Sequence, residues 1–118
     1  QAIIGPQTSA EADFVAYLCN RTRVPMLSSS ATSPALSPAQ TPFFVRTAPN
    51  DSFQAAPVAA ALATFGWRAA VVVYEDSPYG SGILPALTGA LQGVGVRTMD
   101  RAAVAGDAGD ARLDALLY

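Results

Sequence analysis

Histidine and lysine are absent from this sequence, and Cys19 is its single cysteine. Without histidine and with one thiol, neither a metal site of the usual nitrogen and sulfur donors nor a histidine-based catalytic triad can be assembled here, and no cofactor is expected. All seven cations are arginines, scattered singly, in a chain of net charge -2. That leaves no basic stripe for a polyanion, so nucleic acid is not an expected partner. No apolar run approaches the roughly 20 residues that span a bilayer, and no signal peptide is visible, so membrane contact is expected only through parts outside this chain.

Cys19 falls in line with Ala12 and Val15 at helical spacing. Nothing basic shares that face to activate a thiolate, and the residue reads as a small buried hydrophobe. Asparagine is scarce as well. Asn20 and Asn50 are the only two, and each heads a glycosylation acceptor triplet, Asn20-Arg21-Thr22 and Asn50-Asp51-Ser52. With Ser and Thr at 17 of the 118 positions, chance puts both asparagines in such triplets about 1 time in 50. That tilts the compartment towards the secreted or extracellular side, although Asn-Asp-Ser is equally a helix-start pattern.

What is present is a chain of 118 residues, 51% hydrophobic, long enough to bury a core. It opens in "AIIGP", a strand already under way, and stops in "DARLDALLY", inside an apolar helical pattern. The expectation is therefore a fragment of something longer. Thr8 to Glu11, "TSAE", is a capping box, and Ala10, Phe14, Tyr17 and Leu18 fall at helical spacing as one apolar face. "VPMLS" predicts a strand ending in the hydroxyl run Ser28 to Ser33, "SSSATS". "SPALSPAQTP" predicts a proline-rich loop, and "FFVRT" the next strand. Asp51 and Gln54 give a second capping pattern before Val58, Leu62 and Phe65, with Pro57 expected to kink or delay that helix. "WRAAVVVYED" is a continuous apolar run, which predicts a strand buried on both faces. A helix through Ile83, Leu84, Leu87 and Leu91, the strand "VRTMD", the loop "AGDAGDA" and a final helix complete the reading. Strands alternating with helices in this way predict an α/β fold with a parallel sheet.

In open α/β sheets ligands bind beyond the carboxyl ends of the strands. "GPQTSA", "SSSATS" and "EDSPYGSG" all take that position. The first also opens a helix, whose unpaired N–H groups favour a carboxylate or phosphate. Thr8, Ser9, Ser30 and Thr32 would converge there as neutral donors for a small anion, unless they only cap helices and turns. "YGSGIL" approaches a dinucleotide fingerprint but has Pro85 in place of its third glycine and five residues between the strand and Gly80; small residues for a loop and helix start explain it better. Glu75 and Asp76 are the nearest paired acids. Successive residues leaving a strand point apart, so they read as solvated charges and no enzyme is expected.

"AIIGPQTSAEADF", "VPMLSSSATSPALS", "PFFVRTAPNDSFQA", "FGWRAAVVVYED" and "YGSGILPALTGALQ" resemble, in order and spacing, the amino-terminal domain of plant glutamate receptor-like channels, and "GILPALTGALQ" points to their second clade. The resemblance covers nearly the whole chain and weakens after Asp100. It implies a type I periplasmic-binding-protein fold, with parallel sheets flanked by helices, and a fragment of a bilobed domain. Residues 1–46 belong to its first lobe and residues 47–118 to its second. By the same resemblance the chain is part of the extracellular ligand-binding region of a ligand-gated cation channel at the plasma membrane, non-enzymatic, holding a small amino-acid-like ligand between the lobes. Its partners are other receptor subunits, four in the full receptor. Thr8, Ser9, Ser30, Ala31 and Thr32 take the positions that hold the ligand's carboxylate and amine, while Asp51 and Tyr79 match further contacts that suit an ammonium. Ala10 departs from the pattern, since amino-acid binders often carry Ser there. The alternatives are an assembly or modulatory module that binds no ligand, and a soluble solute-binding protein.

Overall fold

The computed structural model of the chain describes residues 1–105. The elements run β1 (Ile3–Ile4), α1 (Ser9–Thr22), β2 (Met26–Ser28), β3 (Phe44–Arg46), α2 (Ser52–Thr64), β4 (Ala69–Glu75), α3 (Pro78–Gly82), α4 (Leu84–Gly93) and β5 (Arg97–Val104). All pairings are parallel: β1-β2-β3 form one sheet, with Met26 opposite Ile3 and Phe44, and β4-β5 form a second. The α/β reading with parallel strands holds. "AGDAGDA" and the final helix lie outside the described residues, apart from Ala105.

α1 starts where its capping box places it. Thr8 Oγ1 accepts from Glu11 N at 3.3 Å, and Glu11 Oε2 accepts from Thr8 N at 3.3 Å. It ends at Arg23, which takes a left-handed φ of 57° and donates its N–H to Cys19 O. The expected face of Ala10, Phe14, Tyr17 and Leu18 is not the buried one: Phe14 is 71% exposed and Tyr17 60%. Ser9, Ala12, Ala16 and Cys19 face inward instead. Small side chains let the helix lie close on the strands, and Ala12, Ala16 and Cys19 join Met26, Ala31, Leu36 and Phe44 in one core, with Cys19 as the buried hydrophobe its spacing indicated.

The same substitution of small for large recurs in α2. Ala55 and Ala59 are buried, whereas Val58 and Phe65 are exposed; Leu62 alone of the expected stripe packs on the second core, with Ala59, Leu91 and Val96. Pro57 neither delays the helix nor stops it. Asp51 does not cap it through its side chain, and the oxygen that bonds Ser52 N at 2.9 Å belongs to Asn50. Among the described residues β4 is not buried on both faces: exposure alternates along it, Ala70 and Val72 packing with Ala59 and Leu91 on one face while Val71 and Val73 are exposed on the other. The expected single helix after it is two, α3 and α4, broken at Ile83. Pro85 has no N–H to offer Ser81 O, which takes the N–H of Ile83 instead. β5 outruns "VRTMD" and continues pairing to Val104, past an irregularity opposite Ala70 and Val71.

Candidate functional site

The hydroxyl run after β2 is a set of ties between segments. Ser28 donates to Pro6 O at 2.7 Å and accepts from Ala31 N at 3.1 Å; Ser30 donates to Gln7 O at 2.7 Å. The bonds to Pro6 O and Gln7 O join the end of β2 to the turn after β1. Ser33 N donates to Ser9 Oγ at 3.1 Å, and Ser33 Oγ reaches across to Pro78 O at 2.9 Å, joining the first sheet's loops to the start of α3. Thr32 Oγ1 donates to Asp51 Oδ2 at 2.8 Å. Buried polar groups need such partners, and Ser9, Ser28, Ser33 and Asp51 are all buried.

Arg46, at the end of β3, holds the same loop from beneath. Nη1 donates to Ser33 O at 2.8 Å and Ala31 O at 3.3 Å, and Nη2 donates to Leu36 O at 2.9 Å. A planar guanidinium fork suits three carbonyls presented by one loop. Burial lowers the Arg46 pKa from its usual value, while the charge of Asp51 acts in the opposite direction. The sequence reading missed this residue; its signal was a lone charge closing the apolar "FFVR".

Between the two sets of loops lies a cleft of 210 Å³, walled by Thr8, Ser9, Ala10 and Ser30 from one side and by Glu75, Ser77 and Tyr79 from the other. Its size falls below the ~300–1,000 Å³ usual for drug-sized ligands and suits something smaller. A second cleft of 260 Å³ adjoins it, sharing Glu75 and Tyr79 and including Asp51, Gln54 and Gly80. Of the residues named from sequence, Thr8, Ser9, Ser30 and Tyr79 therefore meet at one cleft, and Asp51 lines the next. Ala31 is wholly buried in the core, and Thr32 lines neither cleft, its hydroxyl being on Asp51. Glu75, read from sequence as a solvated charge, is shared by both clefts. Alternation along β4 sets the face it occupies, which adjacency to Asp76 alone did not reveal.

The two glycines of "YGSGIL" have steric roles. A Cβ on Gly80 would sit 2.2 Å from Glu75 O, where α3 folds back on the end of β4, and one on Gly82 would sit 2.2 Å from Ser33 Oγ. Gly80 lets α3 start tight against the end of β4, and Gly82 lets it approach the first sheet's loop at Ser33, in keeping with small residues for a loop and helix start.

Comparison with known proteins bears on what such a cleft serves. The model of the receptor family ligand binding region matches residues 1–117. The chain belongs to that family. Receptor ligand-binding-region relatives in Arabidopsis thaliana include glutamate receptor 2.3, 46% identical over 93% of this chain, and glutamate receptors 2.8 and 2.7, 44% and 42% identical over 99% of it. The stretch covers 12% of the length of each of these relatives. The resemblance to plant glutamate receptor-like proteins thus holds across nearly the whole chain, and the cleft belongs to a receptor ligand-binding region. Among the described residues no helix is long and apolar enough to cross a membrane.

Proposed function

We propose that this segment contributes both walls of an interlobe cleft in the extracellular ligand-binding region of a glutamate receptor-like cation channel, and that the cleft holds a small amino-acid-like ligand without chemical change. Residues 1–46 form part of one lobe and residues 47–118 part of the other. The observation that carries the reading is the composition of the 210 Å³ cleft, with donors on one wall and an acid and an aromatic ring on the other. On the first wall, the Ser9 hydroxyl and the amides of Ser9 and Ala10 in the first turn of α1 take a carboxylate, while Ser30, its own proton given to Gln7 O, holds that wall in place. On the second, Glu75 and the Tyr79 ring receive an ammonium, with Asp51 in the adjoining cleft. Thr32 and Ala31 serve the site by fixing Asp51 and the loop. Closure then follows from the ligand's greater affinity for the state in which both walls touch it.

Calorimetric titration of the complete two-lobe extracellular region with free amino acids, beside its Ser30→Ala and Glu75→Gln variants, tests this. Binding that both variants weaken supports the cleft; heat unchanged by either variant places the ligand elsewhere. A second reading, an assembly module working with other subunits, is favoured by one observation: Phe14, Tyr17 and Leu18 lie exposed along α1. It predicts association at micromolar concentration that ignores amino acids and is lost in Phe14→Ser.

A further inference from the structure

The two acceptor triplets differ in a way their sequences do not reveal. Asn20 and Thr22 both lie in the last turn of α1, and residues two apart on a helix do not face each other. Accordingly the Thr22 hydroxyl donates to Leu18 O at 2.9 Å, while Asn20 Nδ2 donates to Gln40 O at 3.0 Å. Asn20 Oδ1 is buried with no hydrogen-bond partner among the described residues. A sugar on Nδ2 would have to grow from an amide already held between α1 and the proline-rich loop. At Asn50 the triplet lies in the turn that leads into α2, and the amide and the hydroxyl are in contact. Ser52 N donates to Asn50 Oδ1 at 2.9 Å, and Ser52 Oγ donates to the same oxygen. With its oxygen so occupied, the amide keeps its nitrogen free: no described residue accepts from Asn50 Nδ2. The flanking Pro49 and Phe53 are exposed, Phe53 at 73%.

We propose that Asn50 carries an N-linked glycan in the mature receptor and that Asn20 does not. The inference rests on the extracellular placement proposed above. The co-reactant is a lipid pyrophosphate-linked oligosaccharide. Its anomeric C–O bond breaks, the electron pair leaves with the pyrophosphate, the anomeric carbon bonds Asn50 Nδ2, and the nitrogen gives up one proton to the transferring enzyme. Transfer precedes folding, so the folded state selects which product survives: at Asn20 the one N–H that remains must keep the bond to Gln40 O while the sugar finds room where α1 meets the proline-rich loop, whereas at Asn50 the modified nitrogen has no hydrogen bond to keep. The glycan would stand beside Phe53, next to Asp51, and would keep that edge of the cleft out of any subunit contact.

The test is glycopeptide mass spectrometry of the full-length receptor recovered from the surface of plant cells, reading the tryptic peptide 47–68 for Asn50 and the peptide ending at Arg21 for Asn20. Enzymatic deglycosylation is compared among the wild type, Asn50→Gln, Asn20→Gln and Ser52→Thr. The expected result is a glycan on Asn50 alone, a loss of one glycan's mass in Asn50→Gln, and none in the other two variants. A glycan on Asn20, or a bare Asn50 in surface receptor, overturns the proposal while leaving the extracellular reading standing. A segment digested by protease from the cytosolic side of sealed vesicles overturns both.

Discussion

The hydroxyl of Thr32 donates to the carboxylate of Asp51 across 2.8 Å, and Asp51 N donates in turn to Thr32 O at 3.0 Å. One residue lies in the first sheet's hydroxyl run and the other precedes α2, so this reciprocal pair pins the chain where it passes from one sheet to the next. Asp51 is buried and takes Gln54 Nε2 on its other oxygen at 3.0 Å.

Removing Thr32's hydroxyl leaves a buried carboxylate one donor short. Thr32→Val is expected to destabilise the complete extracellular region by about 1–3 kcal/mol. In a cycle with Asp51→Ala, the two changes should couple by about 0.5–3 kcal/mol, because each removes the same bond. Urea melts of the four proteins measure this, and strictly additive effects would remove the pair from the account of the crossover.

Arg46 is expected to be less replaceable than its place at a strand end suggests. Arg46→Lys keeps the charge but cannot present two parallel donors to Ser33 O and Leu36 O, so a loss on the order of 1–3 kcal/mol is expected, with Arg46→Ala losing more. Hydrogen exchange should quicken first in the 31–36 loop, whose carbonyls lose their partner. Exchange quickening evenly over the whole region, with the loop no faster than β4, would mean that Arg46 supports the fold at large.

These two tethers, Thr32 on Asp51 and Arg46 on the 31–36 loop, mark where sequence legibility ends. The alternation of strands and helices, the capping box at Thr8 and the burial of Cys19 followed from spacing, because each is decided within a few residues. The buried faces of α1 and α2 did not. Hydrophobic periodicity favours Phe14 and Val58, but close packing, of α1 on the strands and of α2 on α4, buries Ala12, Ala16, Ala55 and Ala59, and their side chains are too small to weigh in a hydrophobic pattern. The partners of the hydroxyl run lie 19 to 45 residues away. Composition indicated that Ser28 to Ser33 had something to hold, and only the topology names Pro6, Gln7, Asp51 and Pro78.

The corrected face of α1 yields a prediction of its own. Phe14→Ser and Tyr17→Ser, both at exposed positions, should change stability by no more than about 0.5 kcal/mol in the isolated ligand-binding region. Ala16→Leu, which pushes extra methylenes into a closed core, should cost about 1–3 kcal/mol. Thermal melts compare the three. A large loss from Phe14→Ser would show that the aromatic face is covered within the receptor lobe itself.

Gly80 and Gly82 should fail in different ways, because their neighbours differ in what can move. A methyl on Gly80 meets the backbone of Glu75, with the carbonyl oxygen at 2.2 Å and the nitrogen at 2.8 Å, so Gly80→Ala must shift α3 off the end of β4 and is expected to be the more damaging change. A methyl on Gly82 meets Ser33 Oγ at 2.2 Å but Ser33 Cβ and Pro34 Cδ only at 3.4 Å. Rotating that hydroxyl away relieves the clash and breaks its bond to Pro78 O. Ser33→Ala alone also loses the bond, at about 1 kcal/mol. The double variant Gly82→Ala, Ser33→Ala should then be nearly as stable as Ser33→Ala, since the atom that obstructs the methyl is gone. Melting temperatures of the four proteins decide it: a double variant destabilised by the full sum of the single effects would mean that the contact between these two loops is not what requires glycine at position 82.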